Sequence, residues 1–418
     1  MSTDDGATSG KAPYGAAVYL AVVQFFFGCT WIVYVIFLPA MAETAGIGKA
    51  AVVWILMLDQ VVFAAMDLAM GVWADRVVGA LRRLGPLILA ISTLSCLAFL
   101  LLPHAVRLEK DGPLGAPVVA GALILLWTAT SSALRAPPWV LLSKYAATPR
   151  MPWLSALTLS GLAIGGAISP YLGVRLRDLD PRLPFAISAL TLLATTAGLI
   201  WVERYLARGR NATPTASGLR PASTTGAVDP VLAAFFFGCA VLAFGFQIHF
   251  FLNSAGQYLR FAKPADLEYL MPVFWIGFNL LMFPGAALAN RFGVLPVMAM
   301  SAMLGLAGMV LAATAGNLSM LLVGHFLAGG GWGGAMMAAF AGSMAFGHKG
   351  REGLMIGILS TLFALAAFSR MTMVAVEVNK AADAKAMLPW LPPGLWLLGA
   401  TALLPAALIW SRRTPHPR

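Results

Sequence analysis

Seven ionisable side chains interrupt the long apolar runs of this sequence, and their chemistry is the first guide to function. A charge at the centre of a lipid bilayer costs about 2.5–3.5 kcal/mol, so each must face protein or a water-filled cavity and have a partner. Carboxylates and imidazoles can carry protons, and guanidinium groups can bind carboxylates or phosphates. The seven residues are Asp59, Asp67, Arg135, His249, His325, Arg370 and Glu377.

Two of the acids lie in the second apolar run. Asp59 is near the middle of that run, which makes it a candidate proton carrier. A permanent ion pair between Asp59 and Arg135 is the alternative. Asp67 follows eight residues later, where it is either a structural part of a gate or a second coupling group. We assign both acids to proton coupling or gating.

The two arginines are candidates for binding an anionic substrate. Arg135 precedes Pro137-Pro138, where a helix should loosen because proline lacks a backbone donor and clashes with the preceding turn. Arg370 lies deep in the eleventh run, in the other half of the chain. Two facing arginines would suit a carboxylate or a phosphate. Pairing of the arginines with Asp59 and Glu377 is the alternative.

Histidine and amide side chains extend the candidate substrate site in the second half of the chain. A histidine titrates near neutral pH and so suits a proton relay, although a packing histidine held by hydrogen bonds is the alternative for each one. Amides can line a cavity that binds sugars. The candidates are Gln247, His249, Asn253, Asn279 and His325.

The elements that must position these residues are membrane-spanning helices. Hydrophobic residues make up 60% of the 418 and charged residues only 11%, whereas a soluble domain carries roughly 25% charged residues. Runs of about 20 apolar residues span the hydrocarbon layer as helices. We predict an all-α membrane protein of twelve transmembrane helices, near residues 16–41, 50–73, 86–103, 117–142, 153–174, 183–202, 229–252, 267–289, 293–315, 318–345, 353–378 and 391–411.

The loops between these spans predict the topology. Lys and Arg are more numerous on the side that holds both termini, so both termini should be cytoplasmic. The Arg-rich turn at 175–182 is an exception on the opposite side. The polar residues 1–13 lack the basic start of a signal peptide, so the first span should remain in the mature protein.

The chain reads as two related halves. Phe25-Phe26-Phe27-Gly28-Cys29 recurs as Phe235-Phe236-Phe237-Gly238-Cys239, and Asp75-Arg76 is echoed by Asn290-Arg291. Such duplication is typical of transporters with a site between the halves. We predict a tail at 1–15, a six-helix bundle at 16–202, a cytoplasmic linker at 203–228, a second bundle at 229–411 and a tail at 412–418.

A loop motif follows the second span. Gly71-x-x-x-Asp75-Arg76, then Arg82-Arg83, resembles the loop between helices two and three of the major facilitator superfamily. The resemblance implies the major facilitator fold and alternating access, with Asp75 and Arg76 in a gate. Asp67-x-x-x-Gly71 also resembles the branch of melibiose, glucuronide and sucrose permeases. Phe63 stands where that branch has another acid, so sodium coupling by a carboxylate pair does not follow.

Several classes of function are not supported by the sequence. The basic residues lie in short loops, so the net charge of +11 indicates membrane topology and not nucleic acid binding. Cys29, Cys96 and Cys239 lie inside apolar spans without the spacing of a zinc site or a disulfide framework. We predict no metal site and no cofactor. No nucleophile elbow, His-Glu-x-x-His or nucleotide loop indicates an enzyme.

The function predicted from sequence is secondary active transport of a small solute, coupled to H⁺, with a sugar or an organic anion as cargo. An exporter of drugs or metabolites is one alternative. A transporter-like assembly factor and a membrane-embedded enzyme are alternatives of other classes. The expected setting is the inner membrane of a bacterium, where the protein is a monomer in the lipid bilayer.

Overall fold

A computed structural model describes residues 13–81, 83–111, 113–145, 150–208, 229–347, 350–378 and 386–413. Throughout these residues the regular structure is helical. Most of the predicted linker at 203–228 and most of both predicted tails lie outside the described residues, so the predicted domain boundaries remain predictions.

The first half of the chain forms six crossings, two of which are interrupted. The chain loosens before Pro137-Pro138 as expected. One helix ends at Ser131, a 3-10 turn at Ser132–Leu134 and a break at Arg135 follow, and the two prolines begin the next helix. The sixth crossing is divided at Gly198. The helices are α1 (Tyr14–Thr44), α2 (Ala51–Leu81), α3 (Gly85–Ala105), α4 (Ala116–Ser131), α5 (Pro137–Tyr145), α6 (Met151–Leu176), α7 (Arg182–Ala197) and α8 (Leu199–Arg208).

The second half repeats this arrangement, with one irregular crossing at its start. A π-helix at His249–Asn253 separates α9 from α10, and such segments are frequent at functional sites. The helices are α9 (Pro230–Ile248), α10 (Ser254–Tyr258), α11 (Leu267–Leu270), α12 (Pro272–Phe292), α13 (Val294–Ala313), α14 (Leu318–Phe346), α15 (Glu352–Ala375) and α16 (Leu391–Arg413).

Lipid is the solvent that this helical bundle requires. Eleven helical stretches in the described residues are long and apolar enough to cross a membrane. The remaining predicted span corresponds to α14, which has 29 residues but is less apolar because it contains seven glycines, five of them near its middle, and His325. Large apolar side chains also remain exposed on the surface, including Trp54 and Leu190 at 62% and 60%. The fold class predicted from sequence is confirmed.

Several pairs of helices join the halves, and two of them make the most extensive contacts. Along α2 and α15 the backbones meet, because Gly71 lies directly against the carbonyl of Gly353 and leaves no room for a Cβ. Along α6 and α12 the contact is made by aromatic rings. Trp153 lies 6.1 Å from Phe283 near one end. At the other end the ring of Tyr171 lies 5.7 Å from that of Tyr269 on α11, the short helix that precedes α12.

We distinguish the two ends of the bundle by the residues that they hold. The terminal end holds Tyr14 and Arg413, and the distal end holds the turn at 178–181. At the distal end Asp180 pairs with Arg182 at 2.7 Å and with Arg107 at 3.1 Å. Hydrogen bonds from Arg182, with the nearby charge of Arg107, hold the pKa of the Asp180 carboxyl below its usual range. Part of the positive charge of the Arg-rich turn is therefore balanced locally.

Candidate functional site

The Asp59 carboxylate is buried at the centre of the first half and is held by hydroxyl groups. Tyr34 Oη on α1 donates to Oδ2 at 2.9 Å, and Thr128 Oγ1 on α4 donates to Oδ1 at 2.8 Å. All three side chains are fully buried. Among the described residues no cation lies within ion-pair distance of Asp59. The structure therefore places a carboxylate inside a span with neutral partners only.

Aromatic rings cover this carboxylate. Trp31 stacks on Trp127 with their centroids 5.7 Å apart, and it also contacts Tyr34 and Phe63 at 5.5 and 5.4 Å. Tyr34 lies 4.6 Å from Trp127, so the hydroxyl that reaches Asp59 is itself fixed by packing. Trp31 is the half-buried member of the group, whereas Tyr34, Phe63 and Trp127 are buried.

Arg135 pairs with Asp67 and not with Asp59. Its Nε lies 3.0 Å from Oδ2 of Asp67, which is fully buried, and its guanidinium lies 4.4 Å above the Phe63 ring. The angle between Arg135 Nε–H and the Asp67 carboxylate is too far from linear for a hydrogen bond, so within the described chain both oxygens of Asp67 lack a hydrogen-bond donor. The alternative drawn from the sequence, an ion pair between Asp59 and Arg135, is therefore wrong.

The register of two parallel helices explains this choice of partner. Asp59 meets Thr128 and Asp67 meets Arg135, which are sequence offsets of 69 and 68 residues. Because the second and fourth spans cross the membrane in the same direction, residues that lie side by side on them differ by nearly the same number. Arg135 therefore lies about two turns further along than Asp59, opposite Asp67.

Arg370 lies on α15 in the second half and has a different environment. Its Nε donates to Oε1 of Gln247 at 3.0 Å, and its guanidinium lies 4.7 Å from the centre of the Phe251 ring. Within the described residues no carboxylate lies within ion-pair distance of Arg370. Phe363, nearly two turns earlier on the same face of α15, contacts Trp332 on α14. Arg370 therefore faces the interior of the bundle.

The two arginines do not face each other across one site. Gly357 lies against the backbone of Asp67, the partner of Arg135. Arg370 follows Gly357 by 13 residues on a continuous helix, which is about 20 Å along the axis at ~1.5 Å per residue. The expectation that both guanidinium groups clamp one carboxylate is therefore wrong. Any anion that binds Arg370 is held by the second half.

The two histidines meet inside the second half. The rings of His249 and His325 are 4.9 Å apart, and Tyr258 stacks on His325 at 4.6 Å. All three side chains are buried. Both ring nitrogens of His325, Nε2 of His249 and the Tyr258 hydroxyl make no hydrogen bond to any described residue. The cluster is polar, enclosed and separate from Arg370.

The two candidate asparagines make local structural contacts. Asn253 donates from Nδ2 to the carbonyl of Leu388 at 2.7 Å and fixes α10 against the segment before α16. Asn279 donates to the carbonyl of Trp275, one turn earlier in its own helix, at 3.2 Å. Neither amide lies within hydrogen-bond distance of Arg370 or of the two histidines in the structure.

The loop motif forms a contact between the halves at the terminal end. Asp75 accepts hydrogen bonds from the amides of Gly353 and Leu354 at 2.7 and 2.8 Å. These amides are at the start of α15, where the helix dipole favours a negative charge. Arg76 is exposed. The sequence identified Asp75 as a gate residue but not its partner helix.

Three further polar residues escaped the sequence analysis. Tyr34 and Thr128 hold Asp59, as described above. Glu203 is buried and accepts hydrogen bonds from the amides of Leu84 and Gly85 at 2.7 and 2.9 Å, so it caps α3. The available signal for Glu203 was an acid at the edge of a span, next to the arginines of the predicted linker.

No metal centre is formed by the described residues, in the sense that no group of three or more His, Cys, Asp or Glu side chains could hold an ion there. The site chemistry is therefore that of two acids, two arginines and a histidine pair, distributed between two halves.

Comparison with known proteins gives the family. The model of the Major Facilitator Superfamily matches residues 20–369. The chain is similar to a bacterial homologue of the iron transporter ferroportin in an outward-facing state, with a TM-score of 0.73, 12% identity, and coverage of 94% of this chain and 99% of that one. A second structure of that homologue, with soaked iron, gives 0.71, 12%, 93% and 98%.

The human organic anion transporter MFSD10 is a further similar structure, with a TM-score of 0.66, 14% identity, and coverage of 94% of this chain and all of that one. None of the curated proteins matches the chain. These similarities in structure concern the fold. The family and the similar structures indicate a membrane transporter and not an enzyme. Because the family model covers most of the sequence, the chain belongs to the Major Facilitator Superfamily.

Proposed function

We propose that this protein is a secondary active transporter that couples movement of a small solute to movement of H⁺, with Asp59 as the proton carrier. The observation that carries the proposal is the environment of Asp59. Two neutral hydroxyl groups hold this buried carboxylate, whereas the one nearby cation, Arg135, is paired with Asp67.

A buried carboxylate without a cation is expensive to keep ionised. Removing an ion from water costs several kcal/mol even after relaxation, and a partner charge normally offsets this cost. Binding a proton removes this cost equally well, because it makes the carboxyl group neutral. Asp59 can therefore bind a proton when it is sealed behind Trp31 and release it when water reaches it, which is the cycle that a coupling group requires.

Alternating access is supported by the contact at the terminal end. Asp75 on α2 closes on the first amides of α15, and the glycines around it allow the two backbones to touch. Such a contact is reversible, because it consists of two hydrogen bonds and small residues instead of interlocked side chains. The halves then rock about a site between them.

The cargo that fits the charges best is an organic anion. Solved transporters of this fold include one for organic anions and a homologue of an iron transporter. Arg370 has no acid beside it in the described chain, and the same residues form no cluster of metal ligands. A sugar remains the alternative cargo for the amide side chains.

The remaining details are part of the same proposal. We place the terminal end in the cytoplasm because Lys and Arg are more numerous there, and the protein in a bacterial inner membrane as a monomer. The relation to the melibiose, glucuronide and sucrose permeases rests mainly on residues 67–86, with Asp67 and Gly71 as the matching pair.

The proposal is tested with purified protein in liposomes that contain the pH-sensitive dye pyranine. Benzoate, lactate, succinate, glucuronate, glucose and sucrose are added outside in turn. At least one should change the internal pH faster than in protein-free liposomes. If every solute enters without proton movement, the transporter is a uniporter. If none enters and none raises the thermal stability, the assembly-factor alternative is favoured.

A further inference from the structure

We propose that the solute is a monocarboxylate with an apolar body, and that its carboxylate binds the terminal nitrogens of Arg370. This inference rests on the proposed transport function and names its substrate class. Arg370 is the only cation of the described spans whose contacts are a neutral amide and a ring, so its charge has no counterion of its own.

Gln247 is the residue that orients this binding group. Its Oε1 accepts from Nε of Arg370, which uses one edge of the planar guanidinium. Nη1 and Nη2 make no hydrogen bond to the described part of the chain, and they point two parallel donors away from Gln247. That edge matches the two oxygens of a carboxylate. Gln247 is therefore a positioning residue for the anion.

Aromatic rings set the character of the rest of the solute. Phe251 lies under the guanidinium, and Phe246 contacts both Phe251 and Trp332 with centroids 5.9 and 4.6 Å apart. Trp332 in turn contacts Phe363 on the Arg370 face of α15. A solute that binds Arg370 would place its body beside these rings. Hydrocarbon or a second ring fits there, whereas the hydroxyl groups of a sugar acid would lack partners.

The net charge supports a monoanion. Glu377 lies exposed beyond the end of α15, Asp67 and Arg135 neutralise each other, and protonation neutralises Asp59. One negative charge is then needed to balance Arg370. A dianion would leave one buried charge without a partner, which is costly in this environment.

The test uses Gln247→Glu, which adds the missing carboxylate with almost no change in volume. Binding of benzoate is measured by calorimetry at pH 7.5 in detergent. Wild-type protein should bind benzoate and octanoate more tightly than glucuronate or succinate. Gln247→Glu should weaken benzoate binding at least about tenfold, because its own carboxylate occupies Arg370, while apparent thermal stability is retained or raised.

Two further variants separate charge from geometry. Arg370→Lys keeps the charge but loses the two-donor fork, and it should also weaken benzoate binding about tenfold. Arg260→Gln is the matched control, because Arg260 also lies over a phenylalanine ring and donates to a neutral acceptor, the Ala315 carbonyl, but at the distal end. It should bind benzoate as the wild type does.

The outcomes distinguish this inference from the proposed function. No binding of benzoate or octanoate at 10 mM, or unchanged binding in Gln247→Glu, would overturn the monocarboxylate inference. Proton-coupled entry of a sugar would overturn it too, yet would leave the proposed coupling intact. Benzoate binding without protein-dependent proton movement in liposomes would support the monocarboxylate inference and overturn the proposed coupling.

Discussion

Arg135 Nε lies 3.0 Å from the carboxylate of Asp67, and this pairing leaves Asp59, the other acid inside the second span, with hydroxyl partners only among the described residues. The two acids are eight residues apart on α2, so their difference comes from the fourth span, in which Arg135 follows the end of α4. Thr128 and Arg135 supply a hydroxyl to one acid and a cation to the other. The fourth span thus makes one acid of α2 a candidate coupling group and the other a member of a structural ion pair.

The Asp67–Arg135 pair should behave as one unit in stability measurements. Asp67→Asn alone leaves Arg135 without its counterion, and Arg135→Gln alone leaves a fully buried carboxylate. Removing one partner of a buried pair costs about 3–5 kcal/mol, whereas removing both costs much less. The apparent unfolding midpoint in detergent should therefore fall strongly in each single variant and recover in the double variant. Additive losses would show that the two groups act independently.

The Asp75 contact should protect the start of α15 from solvent. Asp75→Ala removes the acceptor for the Gly353 and Leu354 amides, so their hydrogen exchange should accelerate at least about tenfold, the equivalent of ~1.4 kcal/mol. Exchange measured by mass spectrometry on peptides that span these amides tests this.

A matched control for the Asp75 experiment is the cap of another helix. Asn317→Ala removes the side chain that accepts from Met320 at the start of α14. It should accelerate exchange at the start of α14 and leave α15 unchanged. Equal exchange at Gly353 in wild type and Asp75→Ala would contradict the gate contact.

Gly71 should be required for closure of the terminal end. A Cβ at this position would collide with the Gly353 carbonyl, so Gly71→Ala must push α2 and α15 apart. Solute uptake should fall at least about tenfold while the protein still folds, because only one of the two alternating states is affected. Gly121→Ala is the matched control, since no atom lies within 4 Å of a Cβ there. Normal uptake in Gly71→Ala would count against closure through this contact.

The helices were predictable from sequence because hydropathy is a local property. Each predicted span coincides with a helix, and the interruption before Pro137-Pro138 follows from the missing backbone donor of proline. α14 was found by its length and its apolar flanks although its glycines lower its hydropathy. The loop motif also predicts that Asp75 acts at a helix end, and its carboxylate accepts from the first amides of α15.

The partners within the site were less accessible to sequence reasoning. Whether Arg135 reaches Asp59 or Asp67 depends on the register and rotation of α2 against α4, which no local pattern encodes. Tyr34 and Thr128 look like ordinary span residues until that register is known. The separation of Arg135 from Arg370 required the contact between Gly357 and Asp67, a relation between two halves. Residue types were predictable, and their pairing was not.

The most direct test of the account is proton coupling in Asp59→Asn. Asparagine keeps the shape of the side chain, and its carbonyl oxygen can accept from one of the hydroxyl groups of Tyr34 and Thr128 while its NH2 group donates to the oxygen of the other. It cannot carry a proton. Lactate is used as solute in liposomes because it crosses protein-free bilayers slowly, with Asp180→Asn at the exposed distal turn as control. We predict that Asp59→Asn still exchanges labelled for unlabelled lactate but no longer accumulates it in response to a pH gradient, whereas Asp180→Asn does both. Accumulation by Asp59→Asn at the wild-type level would contradict the account.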